Sequence, residues 1–273
     1  MPIFIALAMF RVKISSLLYK YFVITNIFWL LYLLFFIIFY KYIIEFDAYS
    51  VERVGVDGLS MTKRSAIGFV SPNNIGSAIC VAAIISFLVK RKGLAMIYLF
   101  FAFASYIYTD SRSILLITIL IFLFMLMNII WKNTKKINMF IFYMIILSLT
   151  SLGLLTYIGF LDQFKTLDRI ISHRIHYLHL ILVPSFFGTI VPHSLDTSMM
   201  DLLNKGGILA FSVIVYVMNK VMKINNDLSI LLIGFLLLGL SENIINQYNI
   251  LLPLIFLLYF KELHNSSVNK EFP

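Results

Sequence analysis

Uncharged stretches at 21–40, 65–89, 93–109, 113–131 and 137–161 dominate the chain, and each approaches or exceeds the roughly 20 apolar residues that cross a bilayer as a helix. The pattern predicts eight membrane helices over about 21–40, 67–89, 94–109, 113–131, 137–160, 202–219, 228–243 and 247–260. Tyrosines stand at several of the ends (Tyr21, Tyr40, Tyr106, Tyr108), where aromatic belts belong. Composition agrees: 61% of the 273 residues are hydrophobic, 13% are charged and the mean hydropathy is +0.94, which excludes a water-soluble enzyme. The expected fold is an all-α integral membrane bundle of about eight spans.

Charge then orients the bundle. With the amino terminus in the cytoplasm, 13 of the 22 lysines and arginines fall inside with only three of the 13 acids, so the positive-inside rule is obeyed and both termini are cytoplasmic. Residues 1–20 read as a cytoplasmic or interfacial segment, 21–260 as one membrane domain and 261–273 as a cytoplasmic tail. The apolar start, Met1 to Phe10, is half a span long with no cleavage site after it, so it reads as an interfacial stub. Two outer loops, 41–66 and 162–201, hold nearly all the polar chemistry; the inner links are short and basic, too small for a catalytic module. Leu180 to Val191, about 12 residues with Pro184 and Gly188, suits a re-entrant or interfacial segment. The single Cys80 lies in an apolar run, which leaves no disulfide framework or cysteine metal site. The net charge of +9 is dispersed over loops with no aromatic-laced basic stripe, so no nucleic acid is expected as a partner.

The candidate chemistry faces outward. Arg112, in Thr109-Asp110-Ser111-Arg112-Ser113, is a cation at a helix start and in an outer loop; it opposes both the macrodipole and the orientation bias. An anion bound there turns both costs into gains, since helix N–H groups and a guanidinium fork make a phosphate site; pairing with Asp110 or a lipid headgroup is the plainer reading. In the large loop, Arg169, His173 and His176 share a face if 168–179 is helical, and Arg174 is a candidate second anion ligand. His173, His176 and His179 could alternatively hold zinc, or the segment could be an amphipathic helix on the bilayer. His193 and Asp196, just before the helix that carries Gly206-Gly207, are candidate general bases; alternatively Asp196 is an N-cap and the glycines a close helix contact. No Asp-x-Asp pair, phosphate loop, Gly-x-Ser-x-Gly elbow or His-Glu-x-x-His helix occurs. Helix interiors carry no charge except Glu242 near an end, which counts against an ion-coupled transporter.

Gly68-Phe69-Val70-Ser71-Pro72-Asn73-Asn74-Ile75-Gly76, Asp110-Ser111-Arg112-Ser113, Ser172 to Arg174, and Leu195-Asp196 through Gly206-Gly207-Ile208 resemble, in order, the motifs of the bacterial O-antigen and capsular polysaccharide polymerase (Wzy-like) and O-antigen ligase superfamily. The resemblance covers roughly 68–259. It implies a GT-C-like membrane glycosyltransferase of the bacterial cytoplasmic membrane, acting on undecaprenyl-diphosphate-linked oligosaccharide at the outer face. No metal or other cofactor takes part, and a chain-length regulator and a flippase are possible partners. Arg112 and Arg174, with Arg169, would hold the diphosphate, and Asp196 or His193 would activate the acceptor hydroxyl. Ligases of the family start the last motif with histidine followed by asparagine; that register falls near Asp196 here, which favours a polymerase. A lipid-linked oligosaccharide flippase is the alternative from a different class.

Overall fold

The computed structural model describes residues 14–46, 48–55, 58–65, 72–109, 111–131, 134–158, 185–189, 198–224 and 226–240. Seven helices follow one another there: α1 (Ile14–Phe46), α2 (Pro72–Leu88), α3 (Lys92–Thr109), α4 (Arg112–Ile130), α5 (Thr134–Tyr157), α6 (Ser198–Ile224) and α7 (Asn226–Gly239). They fall, in order, over the first seven of the expected helices. The eighth, 247–260, and both terminal segments lie outside the described residues. Four helices are long and apolar enough to cross a membrane: Tyr19–Phe39, Ser113–Ile130, Thr134–Leu155 and Met199–Ile224; α2, α3 and α7 are shorter apolar helices. Their outward side chains are apolar too, among them Ile24, Leu30 and Ile37 on α1, Phe100 on α3 and Leu147 on α5. Such a surface belongs in hydrocarbon, and the chain is an α-helical membrane protein.

The segment between the first two helices departs from the all-α expectation. α1 continues to Phe46, beyond the expected end at 40, and bends at Phe39 (φ −108°, ψ 15°). The chain then makes an antiparallel hairpin, β1 (Ala48–Gly55) with β2 (Gly58–Ser65), in the register Tyr49 to Arg64 and Gly55 to Gly58.

The chain divides into two compact units, and α4 passes from one to the other at Leu123. In the first, Val12–Leu123, α2 and α3 form an antiparallel pair and α1 packs on α2. The turn between α2 and α3 is a Schellman motif. Arg91 N–H donates to the Ser86 carbonyl (2.9 Å) and Lys90 N–H to Phe87 (3.0 Å), with Lys90 in the left-handed region at φ 62°. The lone amide on α1, Asn26, is satisfied within the apolar layer: its Nδ2 donates to the Phe22 carbonyl (2.6 Å) and its Oδ1 accepts from the Tyr98 hydroxyl of α3 (2.7 Å).

The second unit is built around α7. Every residue from Leu228 to Gly239 is buried, as an all-round apolar helix requires, and α5 and α6 pack on it. At its start, Asn138 of α5, fully buried, donates to Asn226 Oδ1 (3.0 Å) and Ser229 Oγ (2.8 Å). α6 is broken at Gly207, whose φ of 73° and ψ of 179° are open essentially to glycine alone. Residues 185–189 replace the missing helical bonds. Ile208 and Leu209 N–H donate to the Ser185 and Phe186 carbonyls (3.0 and 3.2 Å), and Thr189 N–H donates to the Asn204 carbonyl (2.9 Å). The stretch expected to be re-entrant or interfacial is described over 185–189, where it is non-helical and bonds to the α6 break.

Candidate functional site

Two helix starts meet in the first unit. α2 opens with Pro72, whose fixed φ and missing N–H suit the first helical position. α4 opens with Arg112, capped by Ser111: the Ile114 N–H donates to Ser111 Oγ (3.4 Å) and the Leu115 N–H to the Ser111 carbonyl (3.1 Å). The end of α3 before Arg112 is internally bonded, and the residues on either side of Asp110 are buried. Thr109 Oγ1 donates to the Ser105 carbonyl (3.0 Å) and Ser105 Oγ to Ala102 (2.7 Å), and Thr109 and Ser111 are almost without exposure. Arg112 is therefore fixed at its backbone.

Gly76, in the second turn of α2, lies against the side chain of Ile114 in the first turn of α4. One turn deeper on each helix, Cys80 Sγ and Thr118 Oγ1 are 3.6 Å apart. Contacts advancing by four residues on both helices mean that α2 and α4 run in the same direction there, so their positive ends point the same way. Asn74 and Arg112 each stand two residues before the Gly76–Ile114 contact. Near this rim two buried oxygens, Asn74 Oδ1 and Ser77 Oγ, have no hydrogen-bond partner. The first turns of α2 and α4 contain no acidic residue. Two helix N-termini that point the same way, with no acid in either first turn, favour an anion there, and the backbone of Arg112 opens one of them.

The structure thus brings the Pro72–Gly76 and Ser111–Ser113 motifs together. Arg169, Arg174, His193 and Asp196 lie outside the described residues, as do Asp110 and the three histidines weighed for zinc. Ser198, two residues after Asp196, begins α6. Because α6 starts earlier than the expected 202, it also takes in Asp201. Lys205 Nζ and Asp201 Oδ2 pair at 3.1 Å across one turn, and Asp201 is buried. Gly206-Gly207, read as a close contact between helices, is instead a close contact between the α6 break and the backbone of Phe186 and Gly188. Asn74 and Gly76 have no role predictable from the motif that holds them, and the one signal for them is a glycine and two asparagines opening an otherwise apolar span.

No protein-family model, curated protein or solved structure matches the chain.

Proposed function

We propose that the chain is a membrane-embedded, metal-independent, inverting glycosyltransferase that polymerises undecaprenyl-diphosphate-linked oligosaccharide repeat units into surface polysaccharide, at the outer face of the bacterial cytoplasmic membrane. The observation that carries this reading is the side-by-side start of α2 and α4 at the Gly76–Ile114 contact, with Arg112 at the first position of α4. The ordered motifs along 68–259 supply the rest.

In this reading Arg112, joined by Arg174 and Arg169, holds the diphosphate of the donor. The acceptor hydroxyl oxygen bonds to the anomeric carbon and the carbon–phosphate oxygen bond breaks. The electron pair leaves with the lipid diphosphate, and the hydroxyl proton passes to Asp196 or His193. Fixed cationic groups at the departing oxygen act where negative charge develops, which is where electrostatic stabilisation lowers a barrier. The full bundle has eight spans with both termini cytoplasmic, and a flippase and a chain-length regulator act beside it.

The test supplies purified protein in vesicles with a synthetic lipid-diphosphate repeat unit. A ladder of longer products is expected. Passage of the repeat unit across the vesicle without elongation would replace the polymerase by a flippase, and transfer of one preformed chain to a different acceptor by a ligase.

A further inference from the structure

In the second unit α4 and α6 end where α5 and α7 begin, and four lysines gather at that rim: Lys135 and Lys136 in the first turn of α5, Lys220 and Lys223 in the last two turns of α6. Lysines at a helix start oppose its dipole, and α5 has no acid in its first turn to offset them. Lys135 reaches across instead, and its Nζ donates to the Lys223 carbonyl (2.7 Å). That relieves α5 and caps α6, but it draws the Lys135 ammonium to the backbone of another lysine. Lys220 Nζ lies over the Tyr216 ring, 5.3 Å from its centroid. Lys135, Lys220 and Lys223 are exposed, and among the described residues no carboxylate pairs with any of the three. The α6 terminus offers about half a negative charge and Asp227, in the first turn of α7, one more. The rim holds a surplus of positive charge.

Aromatic rings fix the level of this rim in the bilayer. Tyr143 on α5 and Tyr216 on α6 are exposed at one level, with the Tyr143 hydroxyl donating to Asn219 Oδ1 (3.0 Å) across the α5–α6 seam, while exposed Trp131, after the end of α4, stands at the rim itself. Such rings occupy the headgroup boundary. Lys135 and Lys223 lie about 10–12 Å further out than the two tyrosines by helix rise, among the phosphates. Below the rings the seam offers Leu147, Leu209 and Val213, apolar and exposed. We propose that the α5–α6 seam binds an anionic phospholipid, its phosphate received by Lys135 and Lys223 and its chains laid along Leu147, Leu209 and Val213. A soluble anion has no use for the apolar strip, whereas a phospholipid uses both parts.

Trp29 and Trp131 are the two tryptophans, so Trp29→Phe leaves Trp131 as the reporter at this rim. The full chain carrying that change is placed in phosphatidylcholine bilayers with brominated phosphatidylglycerol, and quenching gives the relative affinity of the two lipids. A severalfold preference for phosphatidylglycerol is expected, lowered roughly fivefold or more in Lys135→Gln/Lys223→Gln. The preference should persist in Lys90→Gln/Lys92→Gln and in excess glycerol phosphate. Lys223→Gln alone leaves the Lys135 bond to the backbone carbonyl intact and covers the case where the double variant misfolds. Equal affinity for both lipids, an unchanged preference in the Lys223 variants, an equal loss in the Lys90/Lys92 variant, or displacement by glycerol phosphate would overturn the site.

Discussion

Gly76 of α2 and Ile114 of α4 touch so closely that a methyl group on the glycine would overlap the isoleucine side chain. Ile114 is wholly buried and cannot swing aside. Gly76→Ala should therefore destabilise the protein by about 1–3 kcal/mol through overpacking. Ile114→Ala opens a cavity by itself, yet in the double variant it should recover part of the Gly76→Ala loss. A thermal double-mutant cycle in detergent reads this coupling; strict additivity would mean that the two helices do not meet there.

Arg112→Ala should abolish polymer while the protein still folds and single repeat units still accumulate. Arg112→Lys should also fall far short of the parent, because an ammonium cannot reproduce the bidentate guanidinium fork. Polymer length on a gel and melting temperature of the purified variants separate the two effects. Normal polymer in the alanine variant removes Arg112 from the mechanism.

Gly207 and Gly93 make a matched pair of opposite sign. Gly207→Ala places a Cβ in a backbone conformation that costs on the order of 1–3 kcal/mol for other residues, and it also crowds Phe186 and Gly188. Gly93 is helical with nothing near its missing side chain, so Gly93→Ala should be neutral or gain about 0.5–1 kcal/mol. Denaturation of both variants under identical conditions should move the midpoint in opposite directions or leave the Gly93 variant unmoved.

Lys90 occupies the left-handed position of the turn after α2, where glycine is the usual residue. Lys90→Gly should raise stability by about 1 kcal/mol by releasing that strain, provided the Arg91 to Ser86 bond persists. An unchanged or lower melting temperature would place the strain elsewhere.

Most of the helical framework was legible because a membrane span is a property of composition over about 20 residues, and charge interrupts it visibly at Lys90-Arg91-Lys92 and Lys135-Lys136. Helix ends were less legible: the Asp201–Lys205 pair lets α6 start four residues early, because opposite charges one turn apart satisfy each other inside a helix. The hairpin at 48–65 is hard to read because its strands, AYSVERVG and GLSMTKRS, mix charged and polar residues in a segment that looks like a polar loop between two spans. The break at Gly207 could not be read at all. A Gly-Gly pair looks the same whether it admits a neighbouring helix or a returning strand, and only the partner, 185–189, distinguishes them. At the candidate site, Arg112 was identified by its misplaced charge, whereas the partnership of its helix with α2 rests on a methyl-sized gap that no periodicity encodes.

The interruption of α6 divides it mechanically. At the break the amides of Ile208 and Leu209 turn to the Ser185 and Phe186 carbonyls, and Thr189 holds the Asn204 carbonyl, so 185–189 straps the two halves. Loosening that strap would let the shorter half exchange its amide hydrogens or fray while the longer half stays wound against α7, so the protein carries a built-in fault line where thermal agitation stops instead of spreading.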